Sequence, residues 1–164
     1  MSIGWFKPQR LPEGEMSPDF TLPSTAGDFH LHEELKKGPV LMMFYMGDFG
    51  TGCTLALNRL AEVAPQIEAL GVRVTAISVN SMTMHQRYLG RMDFPFPLIS
   101  DVGGEVTKKY GVLIENHILY AGMAGRAVYI MGKDGRVLYS WVPVDDPADT
   151  PDFQGLVETV RSFS

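Results

Sequence analysis

The sequence predicts an α/β fold built on a mainly parallel sheet, and three observations favour it. Residues 39–45 (PVLMMFY) form an unbroken apolar run, typical of a strand buried on both faces of such a sheet. Helical patterns then alternate with strand-like runs in the order β-α-β-α-β-α-β-β-α. A short hairpin precedes this series. We therefore expect one α/β domain covering residues 1–164.

The elements before the buried strand follow from turn residues and apolar spacing. In order, we expect an extended arm at 1–17, hairpin strands at 20–22 and 29–31, and one helical turn at 31–37. Gly38 separates this turn from the strand at 39–45. The hairpin residues 24–28 (STAGD) have the composition of a turn.

The following elements alternate between helices and strands. We expect a helix from Cys53 to Gly71, a strand at 72–79, a helix capped by Asn80 or Ser81 and ending near Met92, a strand at 98–99 and a short helix at 104–110. Pro65 removes a backbone donor inside the first of these helices, so a kink is expected there.

The C-terminal third is predicted to hold a loop, a second hairpin and a helix. Residues 112–124 are predicted to be an irregular loop near a site, and strands at 126–131 and 136–142 are expected to pair across residues 132–135. The final helix is predicted to have Thr150 as its cap and Pro151 at its first position. Its apolar stripe is Phe153, Leu156, Val157, Val160 and Phe163.

Composition and charge argue against several classes of function. The chain has 45% hydrophobic and 20% charged residues, as in an ordinary globular protein, and its net charge of -5 does not suggest nucleic acid or an anionic membrane as partner. No apolar run approaches the ~20 residues that a membrane-spanning helix needs. The N-terminus lacks the regions of a secretory signal, so a cytoplasmic location is expected.

The single cysteine, Cys53, limits the possible chemistry. It excludes an intramolecular disulfide, a two-cysteine redox motif and a zinc site built on thiolates. The four histidines are scattered without metal-binding spacing, and His30 and His32 are interpreted as ordinary surface residues. We expect no metal and no cofactor.

The turn at residues 47–54 (GDFGTGCT) follows the buried strand and admits three interpretations. As a phosphate loop it has Cys53 where the lysine is required, and Asp48 would repel the phosphates. As a dinucleotide turn it has Leu55 in place of the third glycine, and Asn80 where an acidic residue is expected. Neither interpretation is favoured.

The third interpretation is a reactive thiol. A cysteine in the first turn of a helix meets unpaired N–H groups and the positive end of the helix dipole, and both favour the thiolate. Gly50 and Gly52 leave room for a small substrate. Free cysteines are also often buried and inert, so the residues around Cys53 leave both possibilities open.

Five ordered segments of the chain resemble the peroxiredoxins. They are residues 17–23 (SPDFTLP), 44–54 (FYMGDFGTGCT), 96–101 (FPLISD), 109–112 (KYGV) and 125–137, which ends in KDGRV. The closest branch is similar to the AhpC/TSA or bacterioferritin-comigratory type. The resemblance implies a thioredoxin-like α/β fold, with a central mixed sheet flanked by helices and an N-terminal hairpin.

The resemblance also implies a function. Cys53 would attack a peroxide and become a sulfenic acid, and Arg126 matches the family arginine that lies beside the thiolate. Gly50, Thr51 and Gly52 would form the substrate-binding turn, with backbone N–H groups completing an anion site. The implied partners are hydrogen peroxide or an alkyl hydroperoxide, an external thiol reductant (thioredoxin, glutaredoxin or a small thiol) and a second copy in a homodimer.

The chain departs from the family pattern at the turn. Met46 replaces a proline that shields the cysteine, Gly50 replaces a threonine whose hydroxyl positions the peroxide, and Ala56 replaces an acidic residue. Asn58 occupies the position of a resolving cysteine in one branch, so the chain is expected to be of the one-cysteine type. These departures leave an alternative function, a peroxidase-impaired redox sensor or binding module.

Overall fold

A five-stranded mixed sheet forms the centre of the computed structural model, which describes residues 6–163. The strands along the chain are β1 (Thr21–Leu22), β2 (Phe29–His30), β3 (Val40–Phe44), β4 (Arg73–Ser78), β5 (Leu98–Ser100), β6 (Ala127–Met131) and β7 (Val137–Trp141). The helices are α1 (Leu31–Leu35), α2 (Thr51–Ala69), α3 (Met82–Met92), α4 (Glu105–Lys109) and α5 (Phe153–Arg161). The predicted order of elements and the N-terminal hairpin are confirmed.

Strand β3 is the middle strand of this sheet, whose order is β5-β4-β3-β6-β7. It runs parallel to β4 and antiparallel to β6, so that Met42 lies between Thr75 and Tyr129. Strand β5 is parallel to β4, and β7 is antiparallel to β6. All of β3 is inaccessible to solvent, as its unbroken apolar run predicted.

The sheet separates two apolar cores because successive side chains of a strand point to opposite faces. Leu41 and Met43 pack on the side of α2, α3 and α5. Val40, Met42 and Phe44 pack on the side of α1, α4 and the N-terminal hairpin. Helices therefore cover both faces, and the carboxyl end of β3 leads directly into the turn before α2.

Helix α2 begins two residues before the predicted start and continues through Pro65 without a break. Its buried positions include Leu57, Leu60, Ala64 and Ile67, which the apolar spacing predicted. Because α2 also packs against α5, its first turn is held by the core on one side and open to solvent on the other.

Helix α5 corrects two predictions. Asp152, not Thr150, is the cap, since the Asp152 carboxylate accepts a hydrogen bond from the Gly155 N–H at 3.1 Å. Pro151 therefore precedes the helix. Phe163 lies beyond the last helical residue and is 42% exposed, because the apolar stripe ends with Val160.

The arm before the first hairpin has no helix or strand over the described residues 6–17, but a turn interrupts it at residues 13–14, where Gly14 has a positive φ of 92°; residues 1–5 of the predicted arm lie outside the described residues. It pairs with the start of β7: the Gly14 N–H donates to the Val137 carbonyl at 2.8 Å and the Ser17 N–H to the Gly135 carbonyl at 2.8 Å. Within residues 6–163, none of the helices has the length and apolarity needed to cross a bilayer.

Candidate active site

Cys53 is the third residue of α2 and is 4% exposed. The first hydrogen bond of the helix runs from the Thr54 N–H to the Gly50 carbonyl at 2.8 Å. The N–H groups of residues 51–53 therefore have no partner within the helix and form its positive end. The predicted position of the thiol in the first turn of a helix is confirmed, and its effect on the thiolate stays a prediction.

Arg126 lies beside Cys53 although 73 residues separate them in the chain. It immediately precedes β6, which pairs with β3, and β3 leads into the turn before Cys53. The Arg126 Nη2 atom lies 3.6 Å from the Cys53 Sγ atom, and Nη1 donates to the Ala148 carbonyl. The side chain is buried, and its Nε is the one buried side-chain nitrogen or oxygen in residues 6–163 without a hydrogen-bond partner.

The guanidinium of Arg126 reaches the thiol because residue 52 is glycine. A Cβ atom on Gly52 would lie 2.7 Å from the Arg126 Nη2 atom, which is closer than the two atoms can approach. Gly52 thus contributes to the site in two ways. Its backbone N–H has no partner within the helix, and its lack of a Cβ atom leaves room for Arg126.

A cavity of about 370 Å³ opens beside Cys53. Its lining residues are Met46, Gly47, Asp48, Gly50, Gly52, Cys53, Tyr120, Met123, Arg126 and Ala148. A second cavity of about 510 Å³ shares Gly52, Arg126 and Ala148 with it and adds Leu55, Ala56, Arg59, Asp149 and Thr150. Thr51, predicted to bind substrate, is exposed and is part of neither lining.

The turn before α2 is fixed by side chains from neighbouring elements. Asn80, which follows β4, accepts a hydrogen bond from the Asp48 N–H at 2.8 Å. Phe49 has a positive φ of 65°, a conformation that is costly for a bulky residue, and its ring packs 4.8 Å from the Tyr88 ring. The turn is therefore held by β4 and α3.

Tyr88 of α3 was not identified as a site residue from the sequence. Its hydroxyl lies 2.6 Å from the Thr54 Oγ1 atom, adjacent in the chain to Cys53. Burial raises the pKa of Tyr88, and the negative charges of Asp48 and Cys53 raise it further. The hydroxyl therefore keeps its proton, and only the tertiary contact between α2 and α3 reveals its place.

The structure thus brings together Cys53, Arg126, Gly50 and Gly52 from the predicted set. The loop at 112–124 contributes Tyr120 and Met123 to the cavity, as the prediction of a loop near a site requires. The carbonyl of Ala148 was missed, because nothing in the sequence indicates which backbone oxygen meets Arg126.

His30 and His32 lie away from this site, near Asp19. His30 Nε2 is 2.9 Å from the Asp19 carboxylate, and His32 Nδ1 is 3.8 Å from it. His30 ends β2 whereas His32 belongs to α1, so they do not share the face of one strand. Within residues 6–163, no three His, Cys, Asp or Glu side chains are arranged to hold a metal ion.

Comparisons of the sequence with known proteins identify its relatives. A profile of the AhpC/TSA family matches residues 14–140. A protein of Coxiella burnetii named as the peroxiredoxin bcp is 31% identical over 134 residues, covering 80% of this chain and 88% of that protein. Peroxiredoxin Q, chloroplastic, of Oryza sativa subsp. japonica is 29% identical over 130 residues, and the match spans 79% of this chain but only 58% of the rice protein.

Solved structures share the fold at lower identity. The peroxidoxin BcpB of Mycobacterium tuberculosis superposes with a TM-score of 0.80 at 22% identity, covering 94% of this chain and 99% of that chain. A peroxiredoxin-like protein from Aquifex aeolicus gives a TM-score of 0.84 at 20% identity, covering 97% and 91%. The predicted thioredoxin-like fold is confirmed.

Proposed function

Because this chain belongs to the AhpC/TSA family of peroxiredoxins, we propose that it is a thiol peroxidase acting on hydrogen peroxide or alkyl hydroperoxides through Cys53. The observation that supports this function most strongly is the Arg126 guanidinium, 3.6 Å from the sulfur of a cysteine in the first turn of a helix. This pair supplies both a nucleophile and a fixed positive charge.

The Cys53 thiolate attacks the terminal oxygen of the hydroperoxide. An S–O bond forms as the O–O bond breaks, so the sulfur is oxidised to a sulfenic acid and the peroxide is reduced to water or an alcohol. The leaving oxygen departs as an anion and takes a proton from solvent. Arg126 and the N–H groups of residues 52 and 53 stabilise the negative charge while the bond breaks.

The sulfenic acid is returned to the thiol by an external reductant. Cys53 is the only cysteine of the chain, so a thiol outside it forms a mixed disulfide with Cys53 and releases water. A second thiol then attacks that disulfide and frees Cys53. Thioredoxin, glutaredoxin or a small thiol supplies the two thiol groups for these steps. Because both thiols come from outside the chain, the enzyme is of the one-cysteine type.

The cavity supports alkyl hydroperoxides as substrates. Its volume of about 370 Å³ is roughly twelve times the ~30 Å³ that a water molecule occupies in the liquid. Met46 and Met123 line it, so apolar and deformable side chains surround the position of an alkyl group. Met46, in place of the family proline, therefore affects the size of the substrate that the cavity accepts as well as the shielding of Cys53.

Rapid mixing of the reduced protein with hydrogen peroxide and with an alkyl hydroperoxide tests this function. We expect a Cys53 sulfenic acid, trapped by dimedone, that forms faster than free cysteine reacts. Cys53→Ser leaves the chain without a thiol and is the control for labelling. Arg126→Gln should slow the reaction by about 100- to 1000-fold, the typical cost of a lost anion-stabilising donor.

One outcome would contradict the function. If Cys53 reacts no faster than free cysteine with both peroxides, the family fold serves another role here, and the redox sensor or binding module becomes the better description.

A further inference from the structure

A buried polar cluster lies behind the Cys53 cavity and takes no part in the chemistry described above. It consists of Tyr45 at the end of β3, Asp48 in the turn and His85 in α3. The side chains of Asp48 and His85 are both completely inaccessible to solvent. The Tyr45 hydroxyl donates to Asp48 Oδ1 at 2.6 Å, and His85 Nδ1 lies 2.7 Å from Asp48 Oδ2.

The partners of His85 indicate how many protons it carries. Its Nε2 atom lies 2.9 Å from the carbonyl oxygen of Ile99, which can only accept, so Nε2 bears a hydrogen. Its Nδ1 atom faces the Asp48 carboxylate and, at 3.4 Å, the oxygen of Tyr45. The Tyr45 proton is already donated to Asp48, so a hydrogen on Nδ1 satisfies both oxygens.

Tyr45 is held in its donor role. Burial raises its pKa well above the ordinary value, and the negative charge of Asp48 raises it further. Both carboxyl oxygens of Asp48 are engaged, Oδ1 by the Tyr45 hydroxyl and Oδ2 by His85 Nδ1. With a hydrogen on Nδ1, the cluster is a carboxylate paired with an imidazolium, without net charge.

Cys53 lies close to this pair. Asp48 lies in the turn that leads into the first turn of α2, where Cys53 lies. Asp48 and Cys53 line the same cavity, Asp48 through its backbone because its side chain is inaccessible, and the charges of both raise the pKa of the Tyr88 hydroxyl. An unpaired carboxylate at Asp48 would disfavour the Cys53 thiolate, because like charges repel strongly in a buried setting. The groups that face this region from the neighbouring elements are Tyr45, Tyr88, Arg126 and the Ile99 carbonyl.

We propose that His85 is a positioning residue for the Cys53 site: as an imidazolium it holds the turn through Asp48 and cancels the negative charge that Asp48 would present to the thiolate. The proposal rests on the proposed function, since it concerns the same nucleophile. His85 touches neither the substrate nor the sulfur, and it acts only through Asp48.

The pH dependence of Cys53 alkylation by iodoacetamide tests the proposal in four proteins: the wild type, His85→Gln, Asp48→Asn and the double variant. In His85→Gln the carboxylate loses its counter-charge. The midpoint should therefore move to higher pH, and alkylation at a pH well below both midpoints should fall about tenfold, the change that one pH unit of midpoint shift produces there. The double variant has neither charge, so its midpoint should return towards that of the wild type.

This rescue separates a charge effect from a structural one. A turn that is merely loosened would change the limiting rate at high pH, and the double variant would be affected at least as much as His85→Gln. Unchanged midpoints in both single variants, or no recovery in the double variant, would overturn the proposal.

A second measurement uses the unaltered sequence and no variant that could fail to fold. Nitrogen NMR of the protein with labelled histidine should show one of the four histidines with hydrogens on both ring nitrogens at neutral pH. The spectrum of His85→Gln assigns that signal. An unprotonated Nδ1 would overturn the proposal, whereas a failure to reduce peroxide would leave both the alkylation and NMR results standing.

Discussion

At the scale of single residues, the site depends on the absence of a Cβ atom at Gly52. The guanidinium of Arg126 is held on one side by the Ala148 carbonyl and reaches Cys53 across Gly52. Glycine has no Cβ, and this allows the cation to lie against the first turn of α2. The sequence pattern around Cys53 suggested room for substrate, whereas the structure assigns part of that room to Arg126.

Gly52→Ala should therefore separate the cation from the thiol. We expect sulfenic acid formation to slow by about tenfold or more, because the added methyl group displaces Arg126 from the position where it stabilises charge. Gly90→Ala is a matched control in α3, where a Cβ atom meets nothing within 4 Å. Gly90→Ala should gain up to about 1 kcal/mol from helix propensity, measured by urea unfolding, whereas Gly52→Ala should gain less because it displaces the buried Arg126. Equal rates in Gly52→Ala and the wild type would contradict this account.

At the scale of the element, helix α2 starts without a side-chain cap. Gly50 occupies the cap position with φ of -68° and ψ of 137°, and it offers no side-chain oxygen to the N–H groups of the first turn. These angles suit any residue, and a Cβ atom at Gly50 would meet its neighbours only at ordinary distances of 3.7 and 3.9 Å. The family threonine would thus fit here.

Gly50→Thr should raise the rate of peroxide reduction about tenfold or more. Its hydroxyl can accept the hydrogen bond of a first-turn N–H and donate to the bound peroxide. Gly50→Val adds a side chain of nearly the same shape without the hydroxyl, so it should not raise the rate. The measurement is the second-order rate of sulfenic acid formation. An equal gain in both variants would show that shape, not hydrogen bonding, was responsible.

At the scale of the whole molecule, buried tyrosines connect the sheet to its flanking layers. Tyr110 donates to the Pro18 carbonyl at 2.6 Å, and Tyr129 donates to the Tyr110 carbonyl at 2.7 Å. Burial raises the pKa values of Tyr45, Tyr88, Tyr110 and Tyr129. A tyrosine in the unfolded chain ionises near its ordinary value of 10.0.

Stability should consequently fall in alkali. A raised pKa in the folded state contributes stability that is fully present below pH ~10 and is lost as the pH rises towards the folded-state pKa. We expect the free energy of unfolding in urea to decline above pH ~10, with tyrosinate absorbance rising together with loss of far-ultraviolet circular dichroism. Tyr110→Phe should be less stable at neutral pH but decline less steeply. Ionisation of all tyrosines in a chain that stays folded would contradict this.

The homodimer, the single domain over residues 1–164 and the cytoplasmic location stay predictions at this scale. Analytical ultracentrifugation of the reduced protein addresses the first of them directly.

Local signals in the sequence determined the order and type of nearly every element. The apolar run at 39–45 predicted the central strand because such a run is typical of a strand buried on both faces of a sheet. Gly38 and Gly71 marked where elements end, and the position of Cys53 in a first helical turn predicted a favoured thiolate. These features depend on neighbours in the chain, so they can be read from it.

The tertiary structure decided the features that depend on contacts between residues far apart in the chain. Arg126 as a partner of Cys53 was implied by family resemblance alone, and only the pairing of β6 with β3 places it at the sulfur. The cap of α5 is Asp152 and not Thr150, since the Asp152 carboxylate accepts the Gly155 N–H; both residue types are favoured caps, so the sequence alone did not decide between them. His85 looked like a scattered histidine, since the contact with Asp48 exists only where α3 packs against the end of the sheet.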